Sequence, residues 1–204
     1  AASQQLPGAM FNLGMMFLRG YGQDPDAAKA RGWFEQAAAS GDHEADFLLG
    51  VMAVKGEGGA ADVAQAKRHF RNAALAGLAA AQYNLAMLYL QQPEPAADEG
   101  EVRHWLAAAA EQGHQQARLH LAQLDLAHPE KPERAARAAE IVHELADGGD
   151  AEAQLQFGLM NLSGHGVPQD LDEGRFWLRQ AALQDLTAAQ YSLGSLFADG
   201  VGGS

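Results

Sequence analysis

Residues 151–186 read AEAQLQFGLMNLSGHGVPQDLDEGRFWLRQAALQDL, and the same pattern returns every 36 residues along the 204-residue chain without an insertion. The clearest column is a small residue: Ala9, Ala45, Ala81, Ala117, Ala153 and Ala189. A second column keeps Gly or Ala at 14, 50, 86, 122, 158 and 194, a third holds Trp33, His69, Trp105, Ile141 and Trp177, and a fourth Gly41, Gly77, Gly113 and Gly149. A fixed period of this length marks a solenoid, in which each repeat buries its apolar face only against its neighbours. Counting from the alanine column yields full units at 7–42, 43–78, 79–114, 115–150 and 151–186, a half unit at 187–204, and a lead, 1–6, that ends a preceding repeat. The expectation is a single all-α array of 36-residue helix-turn-helix repeats over 1–204. Ala1 and Ala2 fall in the register of Ala37 and Ala38, and 187–202 reads as a first helix with its loop. Both ends therefore predict further repeat sequence on at least one side.

In the third unit a first helix is predicted over 79–90, with Ala81, Gln82, Leu85, Ala86 and Tyr89 on one face. In the first unit the second helix is predicted over 26–40, with Ala30, Trp33, Phe34, Ala37 and Ala38 as its apolar stripe. The Gly/Ala column removes bulk so that helix axes approach closely. The tryptophans, each followed by Phe34, Leu106 or Leu178, fill the space between layers. Asp26, Asp62, Asp98 and Asp170 stand where second helices begin, as N-caps. Gln65, Glu101 and Glu173, three residues on, complete the capping-box pattern. Gly41, Gly77, Gly113 and Gly149 follow the second helices, and Gly20, Gly56, Gly164 and Gly200 the first, where a left-handed residue favours glycine.

The net charge is −12, carried unevenly: residues 1–78 hold seven Lys/Arg and eight Asp/Glu, residues 79–204 seven and eighteen. An acidic surface repels phosphate backbones and anionic lipid, which argues against nucleic acid and membrane surfaces as partners. No apolar run approaches the roughly 20 residues that cross a bilayer, so no membrane insertion is expected. Without cysteine there is no disulfide framework and no thiolate chemistry.

The stretches AAAQYNLAMLYL at 79–90, TAAQYSLGSLFADGVG at 187–202 and GHGVPQDLDEGRFWLRQAA at 164–182 resemble the Sel1-like repeat family, relatives of the tetratricopeptide repeats. The likeness covers essentially the whole chain. It implies a right-handed superhelical α/α solenoid that serves as a scaffold or adaptor for proteins, in bacteria often in the cell envelope, secretion or signalling, which favours an envelope or periplasmic location. Two units depart from the pattern. The third replaces the Gly-x-Gly loop with Gln92, Pro93, Glu94 and Pro95. The fourth carries His128, Pro129, Glu130, Lys131 and Pro132 and has Ile141 in the tryptophan column. Proline cannot take the left-handed conformation, so a local change of curvature is expected there.

Chemistry-bearing motifs are scarce. His43-Glu44 opens like a zinc-protease helix, but position 47 is Phe. There is no Gly-x-Ser-x-Gly elbow and no phosphate loop, and the Gly-x-Gly pairs follow helices, so they read as caps. His69 reads as a packed imidazole in the tryptophan column, and His104 and His114 bracket one helix without a ligand spacing. No catalytic residue, metal site or cofactor is assigned.

What remains is a binding surface. On the first helices the residues pointing away from the buried face line the concave side of such folds. The ladder so defined is Asn12, Met15, Leu48, Val51, Asn84, Met87, His120, Gln123, Gln156, Leu159 and Ser192. Amides beside Met and Leu suit an adaptable peptide groove, while the plain alternative is that the apolar members complete a tightly packed layer. The function expected is an adaptor for a protein or peptide partner, with no chemistry of its own, acting as a monomer or with weak end-to-end association; the alternatives are an enzyme or small-molecule binder using the groove and a module that stacks end to end. A His–carboxylate pair converging in a closed pocket would favour the enzyme, and an open apolar trough the adaptor.

Overall fold

The computed structural model describes residues 7–91, 99–127 and 132–198. Among them are eleven α-helices and no strand: α1 (Pro7–Arg19), α2 (Ala27–Ala39), α3 (His43–Lys55), α4 (Val63–Leu75), α5 (Ala79–Gln91), α6 (Glu99–Glu111), α7 (Gln115–Leu126), α8 (Pro132–Asp147), α9 (Ala151–Ser163), α10 (Leu171–Leu183) and α11 (Thr187–Ala198). Odd helices open a repeat and even ones close it, in an α/α solenoid arrangement. The chain groups into two compact units, Ala1–His114 and Gln115–Ser204, whose boundary falls between the third and fourth repeats. In the first unit each helix from α1 to α6 packs on the next, and in the second each from α7 to α11. The expectations placed on Ala1 and Ala2, on 92–95 and 128–131, on Asp98 and on Gly200 lie outside the described residues.

Helix starts follow the aspartates, with one correction to the capping scheme. Asp26, Asp62 and Asp170 have extended backbone, and their carboxylates accept from the N–H groups of Lys29, Gln65 and Glu173 at 2.9–3.0 Å. The return half of the capping box is not made at Asp62 or Asp170. Their own N–H groups donate to Ala53 O and Asn161 O, both at 2.9 Å, and Asp26 does the same to Phe17 O at 2.8 Å. The last carbonyls of a first helix lack intrahelical partners, so one bond satisfies them and the cap and clamps the loop between. Freed of that duty, Gln65 accepts from Arg31 and Glu173 from Trp177 Nε1. Asp42 and Asp150 cap α3 and α9 in the same way, at 3.0 and 2.9 Å from Ala45 N and Ala153 N. The fourth repeat has Arg134 where the other second helices have Asp. There α8 starts earlier, at Pro132, and runs 16 residues against 13 in α10.

Helix ends behave as the glycine columns predict. Gly41, Gly77, Gly113 and Gly149 all have φ between 82 and 93°. In the fifth repeat Asp185 occupies that column and holds the same region at φ 61°.

The core is built by the column one residue after the tryptophans. Phe34, Phe70, Leu106, Val142 and Leu178 are 0–2 % exposed, and the small residues Ala45, Ala81, Ala117, Ala153 and Ala189 are fully buried. Trp105 and Trp177 are buried at 7 %, but Trp33, expected to fill the space between layers in the same way, is only half-buried. Side-chain size is matched across the first four repeats. Gly14 and Gly50 face Phe34 and Phe70, ring carbons standing 2.5–2.6 Å from where a Cβ would lie. The third and fourth repeats pair the larger Ala86 and Ala122 with the smaller Leu106 and Val142 in the same columns.

A glutamine brace joins successive repeats. Gln82, 6 % exposed, donates to Ala74 O of the preceding second helix at 3.2 Å and accepts from Gln112 Nε2 at 2.9 Å. Gln154 repeats the arrangement with Ala146 O at 3.2 Å and Gln184 at 2.8 Å, and Gln190 reaches Ala182 O at 3.3 Å. Each brace brings a second donor to a last-turn carbonyl that already accepts from the backbone, Ala74 O from Gly77 N, Ala146 O from Gly149 N and Ala182 O from Asp185 N, and so ties the end of one repeat to the next.

Candidate functional site

The ladder is carried by the first helices. In the unit 1–114, Asn12 is exposed, while Met15, Leu48, Val51, Asn84 and Met87 are half-buried. Met15 and Leu48 rest on the cluster formed by Met10, Phe34, Leu49 and Met52, so the apolar rungs are backed by core. In the unit 115–204, Leu159 is 39 % exposed, and His120, Gln123, Gln156 and Ser192 are half-buried. Several polar rungs are steadied by their own helix. Asn84 Nδ2 donates to Ala80 O at 2.8 Å, Ser192 Oγ to Ala188 O at 2.9 Å, and His120 Nδ1 lies 2.8 Å from Gln116 O. Such bonds to the preceding turn fix the side-chain rotamers without burying them.

A polar cluster that the sequence does not announce sits in the second repeat. Asp46, 5 % exposed, occupies the column of Gln82 and Gln154, and His69 that of Trp105 and Trp177. His69 Nδ1 lies 2.9 Å from Asp46 Oδ1, Asn72 Nδ2 donates to the same oxygen at 3.3 Å, and His43 Nδ1 lies 3.8 Å from Oδ2. His69 is therefore not a plain core imidazole. A carboxylate cannot donate to a helix-end carbonyl as glutamine does, and a buried carboxylate needs donors. The two departures compensate each other. The clue in the sequence was that both columns break in one repeat. The pair is a structural substitute for the Gln/Trp pair, enclosed by packing and bonded to an amide.

Two further histidines join aromatic contacts. His114 stacks on Tyr83 at 4.6 Å and His104 meets Trp105 edge-on at 4.9 Å, so the two do not share a site. Burial holds the His114 imidazole below its ordinary pKa. Burial, and then the Glu101 carboxylate, push the Tyr89 hydroxyl above its usual range. Glu101 also lies 3.7 Å from Arg71. It stands in the column of Glu173, which accepts from Trp177 Nε1 at 2.7 Å, and in the third repeat Trp105 Nε1 is left without an acceptor. Among the described residues no group of three His, Asp or Glu could hold a metal ion, and no helix is long and apolar enough to cross a membrane.

Two clefts open in the unit 115–204. One, of about 350 Å³, is polar and includes Gln115, Arg118, Glu144 and Asp150, with Arg118 and Glu144 paired at 2.6 Å. The other, of about 250 Å³, lies between α8, α9 and the loop after α9 and is bounded by Ala139, His143, Phe157 and Val167.

The profile of the Sel1 repeat matches residues 7–42, 43–78, 79–114, 151–186 and 187–204, leaving out the fourth unit with its early helix start and missing tryptophan. Among curated proteins none matches the chain in sequence. A Sel1 repeat protein from Oxalobacter formigenes is 25 % identical over 96 % of this chain and 78 % of its own, with a TM-score of 0.82. A protective antigen of uropathogenic Escherichia coli strains, displaying an SLR fold, is 26 % identical with a TM-score of 0.63. The match covers 98 % of this chain, which spans about 50 % of the antigen's length. A Sel1 repeat protein from Klebsiella pneumoniae, at 21 % identity and a TM-score of 0.54, shares the fold.

Proposed function

The chain belongs to the Sel1 repeat family, whose members generally act as non-enzymatic protein–protein interaction modules, and from that premise we propose that it holds a peptide or helix of a protein partner on the outward faces of its first helices. The observation that carries this reading is the exposure pattern of one column set. The ladder positions of α1, α3 and α5 stay exposed or half-buried, while Leu49, Leu85 and Ala86 beside them are 0–2 % exposed. A rigid backing under a row of amides, Met and aliphatic residues suits a segment laid across several repeats, with the flexible methionines adapting to its side chains. The His69–Asp46 pair, the feature that would favour an enzyme, is tied to Asn72 within the packing and lines neither of the two clefts.

The test is partner capture by the full chain against two variants. Asn84→Asp with Met87→Asp, both on α5, should abolish capture of the proteins retained by the wild type while helical content and melting temperature change little. Arg68→Asp, on the exposed side of α4, should leave capture intact. Unfolding of the α5 variant would make the ladder core, and normal folding with undiminished capture would move binding to another surface.

A further inference from the structure

The second helices carry a cationic column with one gap. Arg31, Lys67, Arg103 and Arg175 keep the 36-residue register, and Ala139 stands between the last two. The junction of the first and second repeats shows what such a side chain fills. Arg31 Nε donates to Glu35 at 3.2 Å and Nη2 to Gln65 Oε1, while Nη1 lies 2.6 Å from where a Cβ on Gly59 would sit. The guanidinium occupies the space between α2, the loop after α3 and the start of α4. At the junction of the fourth and fifth repeats the same register places Ala139 for Arg31, His143 for Glu35, Val167 for Gly59 and Glu173 for Gln65.

Val167 packs against the core there and recovers part of the lost volume. A cleft of about 250 Å³ nevertheless remains between Ala139 and Val167. Its walls are suited to a guanidinium. The His143 ring is stacked on Phe157 at 4.4 Å and meets Trp177 edge-on at 5.9 Å, which fixes it as a flat wall, and 47 % of its side chain stays open. Glu140 is exposed at the rim and enters no ion pair among the described residues. Residues 115–204 hold six Lys/Arg against thirteen Asp/Glu, so the surrounding field attracts cations. A planar cation gains from stacking on an aromatic face and from a charge-assisted bond to a carboxylate, which a compact ammonium does less well.

We propose that this cleft is a socket for one arginine side chain of a basic partner segment, which supplies in trans the group that Ala139 omits. The socket uses none of the ladder residues, so its test is separate from that of the ladder.

The test is a ¹⁵N–¹H correlation titration of the full chain at pH 8 with N-acetyl-arginine amide, and with the citrulline analogue that keeps the shape and loses the charge. The arginine probe should shift the amides of Glu140, His143, Gly166 and Val167 saturably, with a dissociation constant on the order of 1 mM. The citrulline probe should bind about tenfold more weakly, and Glu140→Gln should weaken arginine by about tenfold at an unchanged melting temperature. Ala139→Arg, which fills the space in cis, should abolish the shifts. No saturable shift at the cleft, equal binding of citrulline, or undiminished binding by the Ala139→Arg or Glu140→Gln proteins would overturn the proposal. Should Ala139→Arg fail to fold, the Glu140→Gln protein and the probe pair decide.

Discussion

Replacing Gly50 by Ala probes the size matching that sets the distance between the two helices of a repeat. A Cβ built there lies 2.6 Å from Cδ1 and Cε1 of Phe70, about 0.8 Å inside the 3.4 Å at which ordinary contacts begin. Phe70 is 2 % exposed, so its ring can retreat only by moving α4 or leaving its rotamer. Overpacking of this kind costs about 1–3 kcal/mol. Alanine in a helix interior returns up to about 1 kcal/mol over glycine. The net expectation is a loss of about 1–2 kcal/mol, read from urea unfolding followed by circular dichroism. Two controls frame it. Gly194→Ala in the same column, where a Cβ would meet nothing within 4 Å, should be neutral or stabilising. Gly50→Ala combined with Phe70→Leu recreates the Ala86/Leu106 pair of the third repeat and should recover stability, with a coupling of at least about 1 kcal/mol in the double-mutant cycle. If Gly50→Ala stabilises as much as Gly194→Ala, or if the two changes at 50 and 70 simply add, the argument from matched sizes is wrong.

Two other expectations follow from polar groups. His69→Trp restores the residue common to its column but strips the buried Asp46 carboxylate of its nearest partner. It should cost about 2–4 kcal/mol in the same unfolding assay, whereas the Asp46→Gln/His69→Trp double variant, which rebuilds the Gln/Trp pair, should recover most of the loss. A neutral single variant would mean that Asp46 does not depend on His69. Because burial depresses the His114 pKa in the folded chain, the unfolded chain takes up its proton first on acidification. The contribution is therefore present above about pH 6.5 and lost as pH falls through that value toward the lower folded one. Melting temperature should drop between pH 7.5 and 5, and His114→Gln should drop less; equal slopes would remove His114 as a cause.

The repeat architecture was legible in the sequence because a solenoid is held by contacts that recur at one period. The alanine column, the capping aspartates and the glycines with positive φ each answer a local or next-neighbour demand, and each demand returns every 36 residues. What the period does not encode is how the exceptions are resolved. Asp46 and His69 are separate departures until α3 and α4 pack and bring them to 2.9 Å. Gln65 and Glu173 read as capping partners, yet tertiary packing gives the cap N–H groups to carbonyls of the preceding helix and turns both side chains elsewhere. The absence of a long side chain at Ala139 is a single letter in the sequence. It becomes a cleft only where α8, α9 and the loop carrying Val167 surround it, because empty space is a property of the neighbours and not of the residue that leaves it.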